Sequence, residues 1–207
     1  MILIVGLGNP GKEYEQTHHN TGRIILENIA KVNSFSDWKP ARPHASSGAG
    51  GDDMKLKSLR AKGELNSEKV EFLLPNTFMN NSGQAVMQLI DNPKKLKNLV
   101  VVYDDIDLPI GSLKISFNRS SGGHNGLESI IKKLKSKKFL RIRIGTSPQT
   151  PFGKIQKPKG KKAMLNFLLG EYKKSELNEL KKLSKKVAEI IVMISTEGKD
   201  KAMSVFN

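Results

Sequence analysis

Two runs with apolar residues at consecutive positions constrain the fold most: Ile2 to Val5, and "NLVVVY" at 98–103. Such a run, rich in β-branched residues, reads as a buried strand, which needs cover on both faces. Helical patterns lie between the strands. The spacing predicts a helix from Thr21 to about Val32, with Asn20 as N-cap and Ile24, Ile25, Leu26 and Ile29 as its core stripe. Further on, "KLKSLRAKGELNSEKVEFLLP" (55–75) reads as two strands around the turn "LNSE", and a second helix starts near Ser82. "NLVVVY" is expected to end in an acidic turn. "SLKISFN" (112–118) alternates as a half-buried strand, "GLESIIKKLKS" (126–136) is helical, and "FLRIRIGTS" (139–147) is another strand. Residues 149–162 are basic and irregular, and "KAMLNFLLGEY" (162–172) is helical. A last helix spans about 176–196 with Ser175 as candidate N-cap. Its apolar positions Leu177, Leu180, Leu183, Val187, Ile190, Ile191 and Ile194 recur every three or four residues. Strands alternating with helices argue for a single α/β domain over 1–207, with a largely parallel or mixed sheet.

With 207 residues the chain is long enough for one real core. It has no cysteine, which rules out disulfides, thiolate nucleophiles and Cys-type zinc sites. No stretch reaches membrane-spanning length and no signal-peptide pattern is present, so a soluble cytoplasmic protein is expected. The net charge of +15 is concentrated: residues 132–174 hold fourteen Lys or Arg against the single acid Glu171. These lysines do not accompany a strong amphipathic face, so a nucleic-acid footprint fits better than a membrane. "SSGAGGDD" (46–53) reads as a mobile loop.

Gly6, Gly8 and Gly11 spell G-x-G-x-x-G directly after the first strand. A dinucleotide site needs its helix to open at the third glycine, so that the helix N-terminus meets the pyrophosphate. Here Pro10 precedes Gly11, and a polar, non-periodic stretch follows for about ten residues. No acidic residue ends a second strand where a ribose would need it. The turn instead places Asn9 at the carboxyl end of the first strand, where ligands bind in open α/β sheets.

The longer stretch "GLGNPGKEYEQTHHNTG" closely resembles the opening signature of bacterial peptidyl-tRNA hydrolases. "TFMNNSG" (77–83), "DDIDLPIG" (104–111), "GGHNGLESI" (122–130) and "RIRIG" (141–145) resemble further blocks of that family, in the same order. The resemblance implies one α/β domain with a mixed central sheet flanked by helices. It also implies hydrolysis of the ester between a peptide and the 3′ ribose of tRNA, by a monomer that needs no cofactor, metal or membrane.

Histidine titrates near neutral pH, so a neutral His19 can take a proton from water and return it. The resemblance makes it the base. Asp104 follows an apolar run and is expected at that strand's carboxyl end, where a carboxylate can orient an imidazole. A rival reading has Asp104, Asp105 and Asp107 hold magnesium; the orienting role is favoured for Asp104 and a structural one for Asp107. The resemblance implies that Asn9, Asn80 and Asn125 line the cleft, with Asn9 and Asn80 close to the ester. Met79 adds an apolar wall, and Tyr14 and His124 meet substrate. No G-x-S-x-G elbow supports a serine esterase.

Lys114, Arg143 and Arg119 are the tRNA-binding candidates. Ser116 stands where the family commonly has a lysine, so Lys114, two residues away on the same strand face, is expected to replace it beside Arg143. His18 stands where arginine is usual before the catalytic histidine, and its removal is expected to matter little. "TSPQ" (146–149) is a further departure. The alternative readings are an inactive RNA-binding protein on the same fold and, more remotely, a nicotinamide-dependent oxidoreductase.

Overall fold

The computed structural model describes residues 1–41, 57–90 and 92–207. The expected 46–53 loop lies outside them. Seven strands form one sheet in the order β2-β3-β4-β1-β5-β7-β6. They are β1 Ile2–Gly6, β2 Lys39–Pro40, β3 Ser58–Leu65, β4 Glu68–Pro75, β5 Leu99–Pro109, β6 Leu113–Phe117 and β7 Leu140–Ser147. The central strands β4, β1, β5 and β7 run parallel, while β2, β3 and β6 pair antiparallel at the two edges. The sheet is therefore mixed.

Both faces of the sheet are covered, as the unbroken apolar runs require. Ile4, Phe72, Val100, Val102 and Ile142 pack with Ile25, Leu26 and Ile29 of α1 (Thr21–Val32) and with the apolar stripe of α5 (Lys174–Thr196). The alternate residues Val5, Leu73, Leu99, Val101 and Tyr103 pack with Val86 of α2 (Ser82–Met87) and Leu127 and Ile130 of α3 (Asn125–Leu134). Period-two alternation thus sends one strand's side chains into two separate cores. The helices α4 (Lys161–Leu169) and α6 (Lys199–Phe206) complete the chain.

Four expectations change. The acidic stretch is not a turn: β5 continues through Asp104, Asp105 and Asp107 to Pro109, pairing with β7 across a register shift. The turn comes only at 110–111. Helix α5 starts at Lys174, because the Lys173 backbone N–H donates to Glu176 Oε2 at 2.7 Å and makes Lys173, not Ser175, the cap. Asn20 occupies the N-cap position of α1, but its side chain makes no cap bond there. Helix α6 has no sequence signal beyond Gly198, whose φ of 88° ends the preceding turn.

The first turn of α1 lies almost against the backbone of the central strands. A Cβ on Gly22 would stand 2.1 Å from the Val102 carbonyl oxygen and 2.6 Å from the Leu7 nitrogen. One on Gly6 would stand 2.5 Å from the Gly22 carbonyl oxygen. These are backbone atoms, so neither clash can be relieved by a side-chain rotation. Gly22→Ala is expected to destabilise the protein by about 1–3 kcal/mol, the usual cost of overpacking. Urea unfolding should show a lower midpoint at unchanged slope. A midpoint equal to that of the parent would mean that α1 can move away freely.

Candidate active site

The close approach at Gly22 brings the loop before α1 over the end of β1, beside β5. β1 stops at Gly6, in register with Val102, whereas β5 runs on. Asp104 therefore lies past the end of its neighbour, although it is inside its own strand. His19, on a 3-10 turn at His18–Asn20, meets it there: His19 Nδ1 lies 2.9 Å from Asp104 Oδ2. His124 Nε2 lies 3.1 Å from Asp104 Oδ1. The two rings are 5.0 Å apart, and Tyr103 meets His124 edge-on at 4.9 Å.

Asp104 is 2% exposed. Burial pushes its carboxyl up, but the two imidazoles on its two oxygens together outweigh this and hold it well below the usual carboxylate range. Burial likewise pulls His19 down, and the Asp104 charge and hydrogen bond together outweigh it, raising the imidazole above its ordinary value. Burial pushes the neighbouring Tyr103 phenol up to about 12, so it stays protonated.

His124 caps α3, its Nδ1 accepting the Leu127 N–H at 3.3 Å. Its neutral form therefore carries its proton on Nε2 and donates to Asp104. In neutral His19, Nδ1–H donates to Asp104, which leaves the Nε2 lone pair available. Ligating atoms of His19, Asp104 and His124 lie within 4.8 Å of one another, but a metal does not fit them well. Both carboxylate oxygens already accept imidazole N–H groups, and of the two rings only His19 keeps a free lone pair, on Nε2. The three aspartates do not converge on a cation either. Asp105 pairs with Arg143 at 2.7 Å and Asp107 with Lys157.

Asn9 is locked beside this network. Its backbone N–H donates to Asn20 Oδ1 at 2.8 Å, and Asn20 Nδ2 donates back to the Asn9 carbonyl at 3.0 Å. Asn20 is thus spent on clasping Asn9, which is why it does not cap its helix. Asn9 Oδ1 accepts the Met79 N–H at 2.8 Å. This fixes the amide orientation and leaves the Nδ2 hydrogens to donate elsewhere.

A sequence model of the peptidyl-tRNA hydrolase family matches residues 3–207. The chain belongs to the peptidyl-tRNA hydrolase family. It is 38% identical to the peptidyl-tRNA hydrolase of Thermoanaerobacter sp. (strain X514), with both chains fully covered. It is 36% identical to that of Clostridium tetani (strain Massachusetts / E88), over all of this chain and 97% of the relative. The crystal structure of peptidyl-tRNA hydrolase from Acinetobacter baumannii superposes with a TM-score of 0.80 at 27% identity, covering all of this chain and 94% of that one.

The remaining positions matched to the peptidyl-tRNA hydrolase motifs divide by exposure. Asn80 and Asn125 are exposed, each next in sequence to a residue anchored in the site, Met79 and His124. A Cβ on Gly126 would be 2.5 Å from Met79 Sδ, so the two turns abut. Met79 itself is 4% exposed and packs in the core with Val5, Leu7 and Leu127, which does not suit the expected apolar wall. Half-buried Tyr14 stands edge-on to Phe78, 6.4 Å between centroids. Phe78 is 57% exposed. It lies within the "TFMNNSG" block, where no role is expected of it, although an aromatic next to Met79 and Asn80 is the available signal.

Lys114 and Arg143 are register partners on β6 and β7, and so share a sheet face. Arg119 is exposed, and its carbonyl accepts from buried Arg141, as does that of Ser120 at 2.6 Å. The "RIRIG" block contains Arg141 as well as Arg143, but their two-residue spacing gives no hint that one is buried and the other not. Asp104→Asn is expected to drop the His19 pKa below its ordinary value, since burial then acts without the opposing charge. A histidine-resolved NMR titration checks the shift. A pKa that stays raised would show that Asp104 is not its cause.

Proposed function

We propose that the chain hydrolyses the ester joining the peptide to the 3′ ribose of peptidyl-tRNA, with His19 as general base. The observation that carries this reading is the buried His19–Asp104 pair at 2.9 Å, beside the locked amide of Asn9. His19 Nε2 takes a proton from water, and the resulting hydroxide adds to the ester carbonyl. Asp104 offsets the charge of the imidazolium as it forms. The Asn9 Nδ2 group donates to the carbonyl oxygen as it gains charge, a hydrogen bond whose removal typically costs about 10²–10³ in rate. Collapse of the adduct breaks the bond to the ribose oxygen, which leaves with the proton held by His19. The products are the free peptide carboxylic acid and the tRNA 3′ hydroxyl.

Asn80 and Asn125, with Tyr14, hold the peptide end in this reading. Arg143, Lys114 and Arg119 hold acceptor-arm phosphates. Lys114 and Arg143, opposite one another in register, form the clamp that Ser116 cannot supply. The enzyme works as a monomer in the cytoplasm; no helix among the described residues is long and apolar enough to cross a membrane.

His19→Ala is expected to lose about 10²–10⁴ in turnover, the range of a general base, while still binding tRNA. EDTA should leave cleavage of a short, tRNA-free ester unchanged; inactivation reversed by a divalent ion would require a metal-assisted mechanism. In the wild type, kcat/KM should fall as pH drops through the raised His19 value, because the base is then protonated. Lys114→Ala should lower the slope of log tRNA affinity against log salt by about 0.7–0.9, the share of one phosphate. An untouched slope would leave the phosphate to be met from Arg119 or from the lysines between 154 and 162.

A further inference from the structure

His18 is no bystander to the catalytic histidine: it is 7% exposed and packs against α4 and the residues that follow it. Its ring stacks on Phe167 of α4 at 4.3 Å and 23°, and tilts against Tyr172 at 4.2 Å. Its Nδ1–H donates to the Gly170 carbonyl at 2.8 Å, and its backbone N–H donates to the same oxygen at 3.0 Å. The Gly170 N–H in turn closes the end of α4 on the Phe167 carbonyl at 3.0 Å. One imidazole therefore clamps both the last turn of the helix and the chain leaving it.

Helix α4 has little else to hold it. It has nine residues, none of them buried, and its N-cap Gly160 offers no side-chain bond. A helix of this length is marginal on its own in water. Beyond it, Thr17 pairs with Glu171 and Tyr172 Oη meets Thr21 Oγ1 at 2.6 Å, so the chain is well anchored only after the helix has ended. Yet α4 and the segment before it carry exposed Lys154, Lys159, Lys161 and Lys162. Phe167 is half-buried: besides stacking on His18, it lines a cleft with Lys154, Lys157 and Lys159. It thus joins the catalytic turn to this basic cleft.

We propose that His18 is a positioning residue that docks α4 on the catalytic turn, so that the basic cleft grips the phosphates of the same tRNA whose ester reaches His19. This rests on the hydrolytic reading above. The consequence is selectivity. Esters that carry tRNA are favoured over equally reactive tRNA-free esters through a histidine that never touches the reacting atoms. The expectation that removing His18 matters little is thereby reversed for the full substrate and kept for the small one.

The test compares His18→Ala, Phe167→Ala and the double variant on peptidyl-tRNA and on a short, tRNA-free ester. Each single variant should raise KM for peptidyl-tRNA roughly three- to ten-fold, the scale of one aromatic pair. kcat on peptidyl-tRNA and turnover of the small ester should stay within about two-fold. The double variant should be no worse than either single one, because both remove the same ring stack. The salt slope of tRNA binding should fall by about 0.9 for each phosphate the cleft no longer grips. Phe167→Tyr keeps the ring and should keep the parent KM. Phe167 lies outside the catalytic turn, so its variants remain informative if His18→Ala disturbs His19. Equal impairment on both substrates, additive effects in the double variant, or an unchanged KM would each overturn the proposal. Failure of the parent enzyme on both esters would instead sink the hydrolytic reading.

Discussion

The near-contact between the first turn of α1 and the backbone of β1 and β5 sets the geometry on which the site depends. Gly6 and Gly22 allow it: each occupies a place where a methyl group would sit inside the van der Waals radius of a backbone atom. The Leu7 N–H bonds the Val102 carbonyl and the Arg23 N–H bonds the Leu7 carbonyl, both at 3.0 Å, so the approach is also pinned by hydrogen bonds. His19 lies three residues before Gly22, and Asp104 two residues after Val102. The distance between His19 and Asp104 is thus inherited from a contact between glycine and backbone. The first glycine of the opening motif serves packing rather than a pyrophosphate.

That geometry places a carboxylate in a nearly dry position. An isolated charge there would be costly, and the usual response is protonation. Asp104 avoids it because each oxygen faces an imidazole N–H. The division of labour between the imidazoles follows from what their other nitrogens do. Nδ1 of His124 is tied to the start of α3, so that ring can only donate to Asp104 and hold it. The second nitrogen of His19 is not tied, so that ring can exchange protons. A shared carboxylate thus leaves one histidine bonded at both nitrogens and the other with a free one, without any difference in residue type.

Features set by local periodicity are legible in the sequence. The bounds of α1, the strand pair around "LNSE" and the position of Asn9 after β1 all follow from patterns a few residues long. The peptidyl-tRNA hydrolase motifs name His19 and Asp104 as well. What stays hidden depends on contacts distant in sequence. Asn20 has the chemistry of an N-cap, yet it bonds the backbone of Asn9, eleven residues back. His124 reads as a substrate contact until α3 and Asp104 fix its two nitrogens. His18 reads as dispensable because the chain that covers it is 152 positions away at Gly170. The acidic stretch of β5 reads as a turn by composition, and only pairing with β7 keeps it extended.

In the proposed mechanism, the same stretch keeps proton chemistry and phosphate binding separate though adjacent. Along a strand, successive side chains point to opposite faces. Asp104 is therefore turned toward His19, while Tyr103 and Asp105 share the face that carries Arg143, the register partner of Tyr103. Asp105 holds Arg143 by its Nε, which orients the guanidinium and leaves its terminal nitrogens to donate. The pair has no net charge, however, so alone it is a poor long-range attractor for a phosphate. The proposed clamp therefore calls for a second cation nearby. The residue directly opposite Arg143 is Lys114, whose charge is the one not cancelled by Asp105, while Ser116 stands opposite Arg141. In the proposed clamp, a carboxylate that orders the arginine thus leaves the net positive charge to the lysine, and this dependence follows from the two-residue period of a single strand.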